Sequence, residues 1–177
     1  MILTSSNIVL RPLEIKDVDA LYRFRNDSEV TARLVGYSAG MSKPNLEQWV
    51  HDHKNNADEA FWAIADSKSD DCIGHVALYN IDHRARSAEF GIALDKSAWG
   101  HGIGTVSTTA VIRFGFEQLN LHRIYLTVLA SNNAAIRLYE QLQFRVEGVM
   151  RDHHFSMGQY TDVILMALLD NEWQRAD

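Results

Sequence analysis

Residues 86–129 constrain the fold more than any other stretch of the chain. In "SAEFGIAL", Ala88, Phe90, Ile92 and Leu94 fall on one face and Glu89, Gly91 and Ala93 on the other, which is the period of a strand. "SAWGHGIGTVSTTAVIRFGFEQL", residues 97–119, then sets Gly100, Gly102 and Gly104 ahead of a helical pattern. There Ile103, Val106, Ala110 and Phe114 are spaced as one apolar face. "HRIYLTVL" reads as the next strand. A strand, a helix and a strand in this order form a crossover, which favours parallel pairing of the two strands.

The rest of the chain fits around this unit. "NIVLRPLE" reads as a first strand, and Val18, Leu21, Tyr22 and Arg25 suggest a helix over roughly 17–26. "SEVTARLV" suggests a short second helical piece and "GYSAGMS" a loop. Pro44 suits the first turn of a helix carrying Leu46, Trp49 and Val50. "FWAIADS" and "CIGHVALYNI" read as strands joined by a polar turn. After the crossover, "SNNAAIRLYEQL" is a helix with Ser or Asn at its N-cap. "FRVEGVMRDHHF" and "QYTDVILMALL" form a hairpin turning near Met157-Gly158. The order predicts a mixed α/β (α+β) fold, and 177 residues suit one domain over 1–177.

The glycine run has two readings from its residues alone. The spacing is neither the G-x-G-x-x-G of a dinucleotide site, since Thr105 and Ser107 stand where the third glycine would fall, nor a P-loop, since no lysine follows. Glycines allow positive φ and a close backbone approach, and a helix start attracts anions. One reading is therefore a phosphate cradle; the other is a tight turn with no ligand.

Composition removes several classes. A net charge of −6 lacks the basic footprint of a nucleic-acid binder. No apolar run approaches membrane-spanning length, and the N-terminus has no signal-peptide pattern. One cysteine, Cys72, permits no intrachain disulfide, fits a reducing, cytoplasmic compartment, and reads as a small core residue. The eight histidines do not converge. His51 and His53 point apart on a helix, and His153 and His154 face opposite sides of a strand, so no metal site is expected.

Two motifs carry a resemblance. Trp99-Gly100-His101-Gly102-Ile103-Gly104 opens a helix after a strand. The segment from Asn132-Asn133-Ala134-Ala135-Ile136 through Leu138-Tyr139 to Phe144 follows one strand later. Both, in this order, resemble the signatures of the GNAT superfamily of acetyl-CoA-dependent N-acetyltransferases. The segments "IVLRPLEIKDVDALYRFRND" and "EGVMRDHHFSMGQYTDVILMALLDNEW" resemble the branch with spermidine, ribosomal-protein N-terminal and some amino-sugar acetyltransferases. The resemblance implies a central mixed, twisted sheet of about seven strands flanked by helices. Trp99 departs from the usual Gln or Arg. Gln143 stands where a glycine ends the second helix, which implies a different helix exit or a tolerated strain.

The resemblance also implies roles. Backbone groups from His101, Gly102, Ile103, Gly104 and Thr105 would hold the pyrophosphate of acetyl-CoA, the glycines keeping side chains out of its way. Backbone of Ile92 and Leu94 would meet the pantetheine arm and the carbonyl, with Asn132 and Ala135 at the second helix start. Tyr139 would protonate the leaving thiolate; otherwise it packs against the sheet. Glu89 is the candidate base, directly or through water; otherwise it is a solvent-facing strand residue.

The expected reaction is acetyl transfer to a primary amine of a small metabolite, a polyamine or an amino sugar. The acid-rich Asp27, Glu29, Glu47, Asp52, Asp58 and Glu59 motivate a polyamine. Asn26, His153, His154 and Gln159 could serve an amino sugar. The competing readings are a peptide N-terminal acetyltransferase, a non-catalytic acyl-CoA-binding module and a nucleotide binder. The oligomeric state stays open, a homo-oligomer included.

Overall fold

The computed structural model describes residues 3–4, 7–36, 40–54 and 56–173. The loop expected over 36–42 therefore lies partly outside the described residues. Eight strands form one sheet in the order β1-β2-β3-β4-β5-β6-β8-β7. They are β1 (Leu3–Thr4), β2 (Ile8–Arg11), β3 (Ala60–Asp66), β4 (Cys72–Asp82), β5 (Ser87–Leu94), β6 (Arg123–Leu129), β7 (Arg145–Ser156) and β8 (Gln159–Leu169). Seven correspond to the strands expected; the two-residue β1 is an addition too short to show a period. Every neighbouring pair is antiparallel except β5 and β6, which pair in parallel as the crossover predicts.

Helices α1 (Val18–Arg25), α2 (Ser28–Thr31) and α3 (Lys43–Lys54) precede β3; α4 (Ile103–Glu117) lies between β5 and β6, and α5 (Asn133–Gln141) follows β6. Two apolar clusters divide the faces of the sheet. Ile64, Leu78, Ala88, Phe90, Ile124 and Leu126 join Ala110, Val111 and Ile112 of α4 and Tyr139 of α5. Ala63 and Ala93 join Leu21 and Phe24 of α1 with Leu46 and Val50 of α3. Cys72 is buried in this second cluster, as its sequence context suggested.

Three local expectations shift. β2 stops at Arg11, because Pro12 has no N–H to continue a ladder. In α1, Phe24 enters the core in place of Tyr22, which is exposed. In α4 the buried face carries Ser107, Thr108, Val111, Ile112 and Gly115, whereas Val106 is exposed. Hydroxyls can face the sheet there: Thr108 Oγ1 returns a hydrogen bond to Gly104 O at 2.7 Å. Gly115 admits the close approach, since a Cβ would stand 2.8 Å from Ile124 Cδ1.

The α5 exit answers the Gln143 question. Gln143 takes φ +71°, the left-handed conformation a glycine would hold without a Cβ penalty. The exit is thus the glycine-type one, with a residue that pays strain to make it. Phe144 N–H bonds Tyr139 O at 3.0 Å and closes the turn.

Candidate active site

The crossover strands do not stay together. β5 pairs with β6 only over Ser87–Arg123, Ala88–Ile124 and Glu89–Tyr125. Beyond that register β5 runs on to Leu94 and β6 to Leu129, each without the other. The two strands diverge, and a cleft of about 640 Å³ opens between them. Phe90 to Leu94 line one wall and Thr127 and Val128 the other, so the cleft reaches both faces of the sheet. Backbone groups on the diverging edges are free of their ladder partners, which makes them available to a ligand.

The glycine turn closes one end. Gly100 and Gly102 have φ +77° and +75°, and nothing lies within 4 Å of a Cβ built on either. Gly102 is the N-cap of α4, without a capping side chain. The first helical bond runs from Val106 N–H to Gly102 O at 3.1 Å, so the N–H groups of Ile103, Gly104 and Thr105 precede it. These three residues line the cleft. A helix start of this kind, with no acidic residue in its first turn, fits an anionic group such as a phosphate. Gly104 also sits against its neighbours. A Cβ there would stand 3.1 Å from Leu138 Cδ1 and 3.7 Å from Leu94 Cδ1, so a larger residue would need the Leu138 side chain to shift. His101 is exposed and does not line the cleft.

Trp99 bridges the turn to β5. Its indole N–H donates to Leu94 O at 3.2 Å, and Arg33 stacks on its ring at 3.9 Å. Leu94 thus already spends its carbonyl on Trp99. Asn132 caps α5 through Ala135 N–H at 3.2 Å, and its amide donates to Arg33 O at 3.2 Å. The segment after α2 is tied by these contacts across the cleft to α5. Arg33 and Arg137 line the cleft and add positive charge to it.

Tyr139 reaches the cleft from α5, on the α4 side of the sheet. Its ring meets Phe90 at 6.2 Å and Phe144 at 5.7 Å between centroids. Burial raises its phenol pKa above the ordinary value, so the group keeps its proton at neutral pH.

Glu89 approaches from the opposite face. β4 and β5 pair as Tyr79–Glu89, Ala77–Gly91 and His75–Ala93, which sets these residues on the α1/α3 side. Tyr79 lies over β5 at Gly91, where a Cβ would stand 2.8 Å from Tyr79 Cε2. The ladder shifts between Tyr79 and Asp82, Asn80 takes φ +50°, and its amide donates to Glu89 Oε2 at 3.2 Å. A bulge here aims a polar side chain at the carboxylate. Tyr139 and Glu89 are therefore on different faces, and the divergence of β5 from β6 is what lets both line one cleft.

The acid-rich region does not. Asp27 and Glu29 pair with Lys96 at 3.0 and 3.1 Å, Asp52 accepts from Gln48 at 2.7 Å, and Glu59 pairs with His53. Glu89 is the one carboxylate among the described residues lining the cleft. Asn26 is spent holding Met41, and His153, His154 and Gln159 sit on the β7–β8 hairpin away from the cleft. Sequence reasoning missed Arg25, His75 and Tyr79, which line the cleft beside Glu89. Strand alternation puts His75 and Tyr79 on one face of β4; Arg25 joins them only through the docking of α1 on β4. Among the described residues no three His, Cys, Asp or Glu side chains form a metal-ligating group, and no helix is long and apolar enough to cross a membrane.

Known proteins resemble this chain in fold and sequence. The spermidine N-acetyltransferase of Vibrio cholerae, solved in complex with CoA and spermine, superposes with a TM-score of 0.88 at 30% identity, covering 95% of this chain and 98% of that one. The spermidine N(1)-acetyltransferase of Escherichia coli K12 is 30% identical over 173 residues, 96% of this chain and 90% of that protein. The N-acetyltransferase p20 of Bacillus licheniformis, itself uncharacterized, is 29% identical over 173 residues, 97% of each. Residues 7–145 match the acetyltransferase (GNAT) domain family. A diverging parallel strand pair, a glycine turn at the start of α4 and this match over most of the chain place the protein in the GNAT family, as an acetyl-CoA-dependent N-acetyltransferase.

Proposed function

We propose that the chain transfers acetyl from acetyl-CoA to a primary amine of a small metabolite, by direct attack on the thioester. The observation that carries this reading is the cleft itself, which brings Glu89 from one face of the sheet and Tyr139 from the other. Acetyl-CoA supplies an activated acyl group. The chain must then do three things with its own residues.

An alkyl ammonium has a pKa of roughly 10, and only the neutral amine attacks. Glu89 takes that proton, directly or through a water, while Asn80 holds the carboxylate in place. Backbone groups of the freed β5 edge at Ile92 and Leu94 orient the acyl carbonyl and stabilise the charge that develops on it. Tyr139 returns a proton to the departing thiolate. The Ile103–Thr105 turn binds the pyrophosphate, with Ala135 and Asn132 beside the arm.

The likeness to spermidine acetyltransferases supports an amine acceptor, with polyamines and amino sugars as the classes expected. The test is thiol release from acetyl-CoA against polyamines, amino sugars, sugar-nucleotide amines and peptides. Turnover with free small amines is the expected result; turnover only with peptides bearing a free N-terminus would contradict it. Glu89→Gln keeps the size of the side chain but cannot take a proton. It is expected to lower kcat/KM for the best amine by about 10²-fold or more, with acetyl-CoA affinity retained. Normal kcat/KM in this variant would leave Glu89 as a strand residue without chemical work.

A further inference from the structure

The α1/α3 side of the cleft holds a guanidinium with no counter-ion among the described residues. Arg25, at the end of α1, is half-buried and lines the cleft with His75, Tyr79 and Glu89. It makes no ion pair with any described carboxylate. Its Nη1 donates to His75 Nε2 at 2.8 Å, and its guanidinium lies 4.5 Å above the ring of Trp49. A guanidinium can only donate, so Nε2 accepts and the imidazole carries its proton on Nδ1. His75 is 4% exposed, and Nδ1 is buried without a partner.

The two nearby carboxylates are engaged elsewhere. Glu59 pairs with His53, and Glu89 accepts from Asn80. Burial pulls the Arg25 pKa below its ordinary value, and the neighbouring Tyr79 is a phenol that burial keeps protonated. The surroundings are otherwise aromatic: Trp49 meets Phe61 and His75 at 5.0 and 5.5 Å between centroids.

Removing a cation from water without an anion is costly. A surface lysine or arginine escapes the cost by turning to solvent, but Arg25 is held by His75 and by the Trp49 ring. The chain keeps this cost in the lining of the cleft that also holds Glu89, the one carboxylate among the described residues there. A ligand with a complementary pair of charges would satisfy both: an ammonium toward Glu89 and an anion toward Arg25.

We infer that the acetyl acceptor is a primary amine that also carries an anionic group, a carboxylate or a phosphate monoester, bound by Arg25. The inference rests on the reading of the chain as a small-amine acetyltransferase and narrows it. Such an acceptor differs from the polyamines in the names of the relatives, and an amino-sugar phosphate or an amino acid has the required chemistry.

The test uses the full chain, acetyl-CoA and paired amines in which the anion is kept or replaced by a neutral or cationic group. The pairs are 4-aminobutyrate with 1,4-diaminobutane, β-alanine with β-alaninamide, and glucosamine 6-phosphate with glucosamine. The carboxylate pairs and the phosphate pair separate the two sources of the anion. The wild type is expected to prefer the anionic member of at least one pair by about 10²-fold in kcat/KM, as expected for a charge-assisted contact in a desolvated site. Arg25→Met is expected to abolish that preference by raising the KM of the anionic amine, with the member lacking the anion and the KM of acetyl-CoA much less affected. Arg25→Lys, which keeps the charge, is expected to restore part of it. A purely structural role for Arg25 would lower turnover of both members alike and leave their ratio intact. Equal or better turnover of the uncharged or dicationic member by the wild type overturns the inference, as does an unchanged ratio in Arg25→Met. Thiol release with no amine at all would instead overturn the small-amine reading, and the inference with it.

Discussion

Tyr139→Phe is expected to lower kcat by a factor of about 10²–10⁴, the usual contribution of a positioned general acid, with little change in the KM for acetyl-CoA. The substitution removes one oxygen and leaves the ring. The ring is what packs: Tyr139 is 7% exposed and meets Phe90 and Phe144 edge-on. The fold has no reason to change, so a loss of rate reports the hydroxyl. Burial raises the pKa of that hydroxyl, so it is protonated at neutral pH and can act as a hydrogen-bond and proton donor beside the leaving thiolate. Steady-state thiol release with the best amine, over a range of acetyl-CoA concentrations, separates kcat from KM. Full kcat in the variant would assign the thiolate's proton to water or to another group.

Gly102→Asp is expected to weaken CoA binding by about 10²-fold or more, because it sets a carboxylate where the three free N–H groups face an anion. At φ +75° an aspartate is strained, but nothing within 4 Å obstructs its Cβ, and the helix behind it is anchored by the buried face of α4. The variant should fold. Gly102→Ala separates strain from charge: it carries the same left-handed penalty of roughly 1–2 kcal/mol without the charge and should lose much less affinity. Calorimetry with CoA, alongside a thermal melt, checks both. Unchanged affinity in a folded Gly102→Asp protein would remove the phosphate role from this turn.

The contrast between Gly102 and Gly104 shows what could be read from the sequence. Both stand in one run, and the run correctly announced a turn before a helix. Only the packed structure separates them: Gly102 takes a left-handed backbone angle in open space, whereas Gly104 has no such angle and sits close to Leu138. The parallel β5–β6 pair was legible because a crossover leaves little choice. Its divergence after Glu89 was not, because the residues that follow on each strand remain strand-like and only the loss of pairing marks the cleft.

Polar partners were the least legible part. The acidic residues at 27–59 suggested a cation site by number alone. In the fold Lys96 draws Asp27 and Glu29 away, and His53 takes Glu59. Arg25 and His75 are fifty residues apart and meet only because α1 docks on β4. The helix pattern at 17–26 counted Arg25 as one more periodic position; its position at the cleft depends on tertiary contacts that no spacing encodes.

The central claim is that both substrates occupy one cleft at once, the amine reaching the thioester through the gap between β5 and β6. No cysteine serves as a relay there. Cys72 is buried among α1 and α3 contacts, donates to Gly74 O at 3.3 Å, does not line the cleft, and has its thiol pushed up to about 11 by burial. Direct transfer, as proposed, passes through a complex that holds acetyl-CoA and the amine together. Initial rates measured over a grid of both substrate concentrations test this most directly. Double-reciprocal lines that intersect are the predicted result; parallel lines, with acetyl recovered on the protein in the absence of amine, would contradict it.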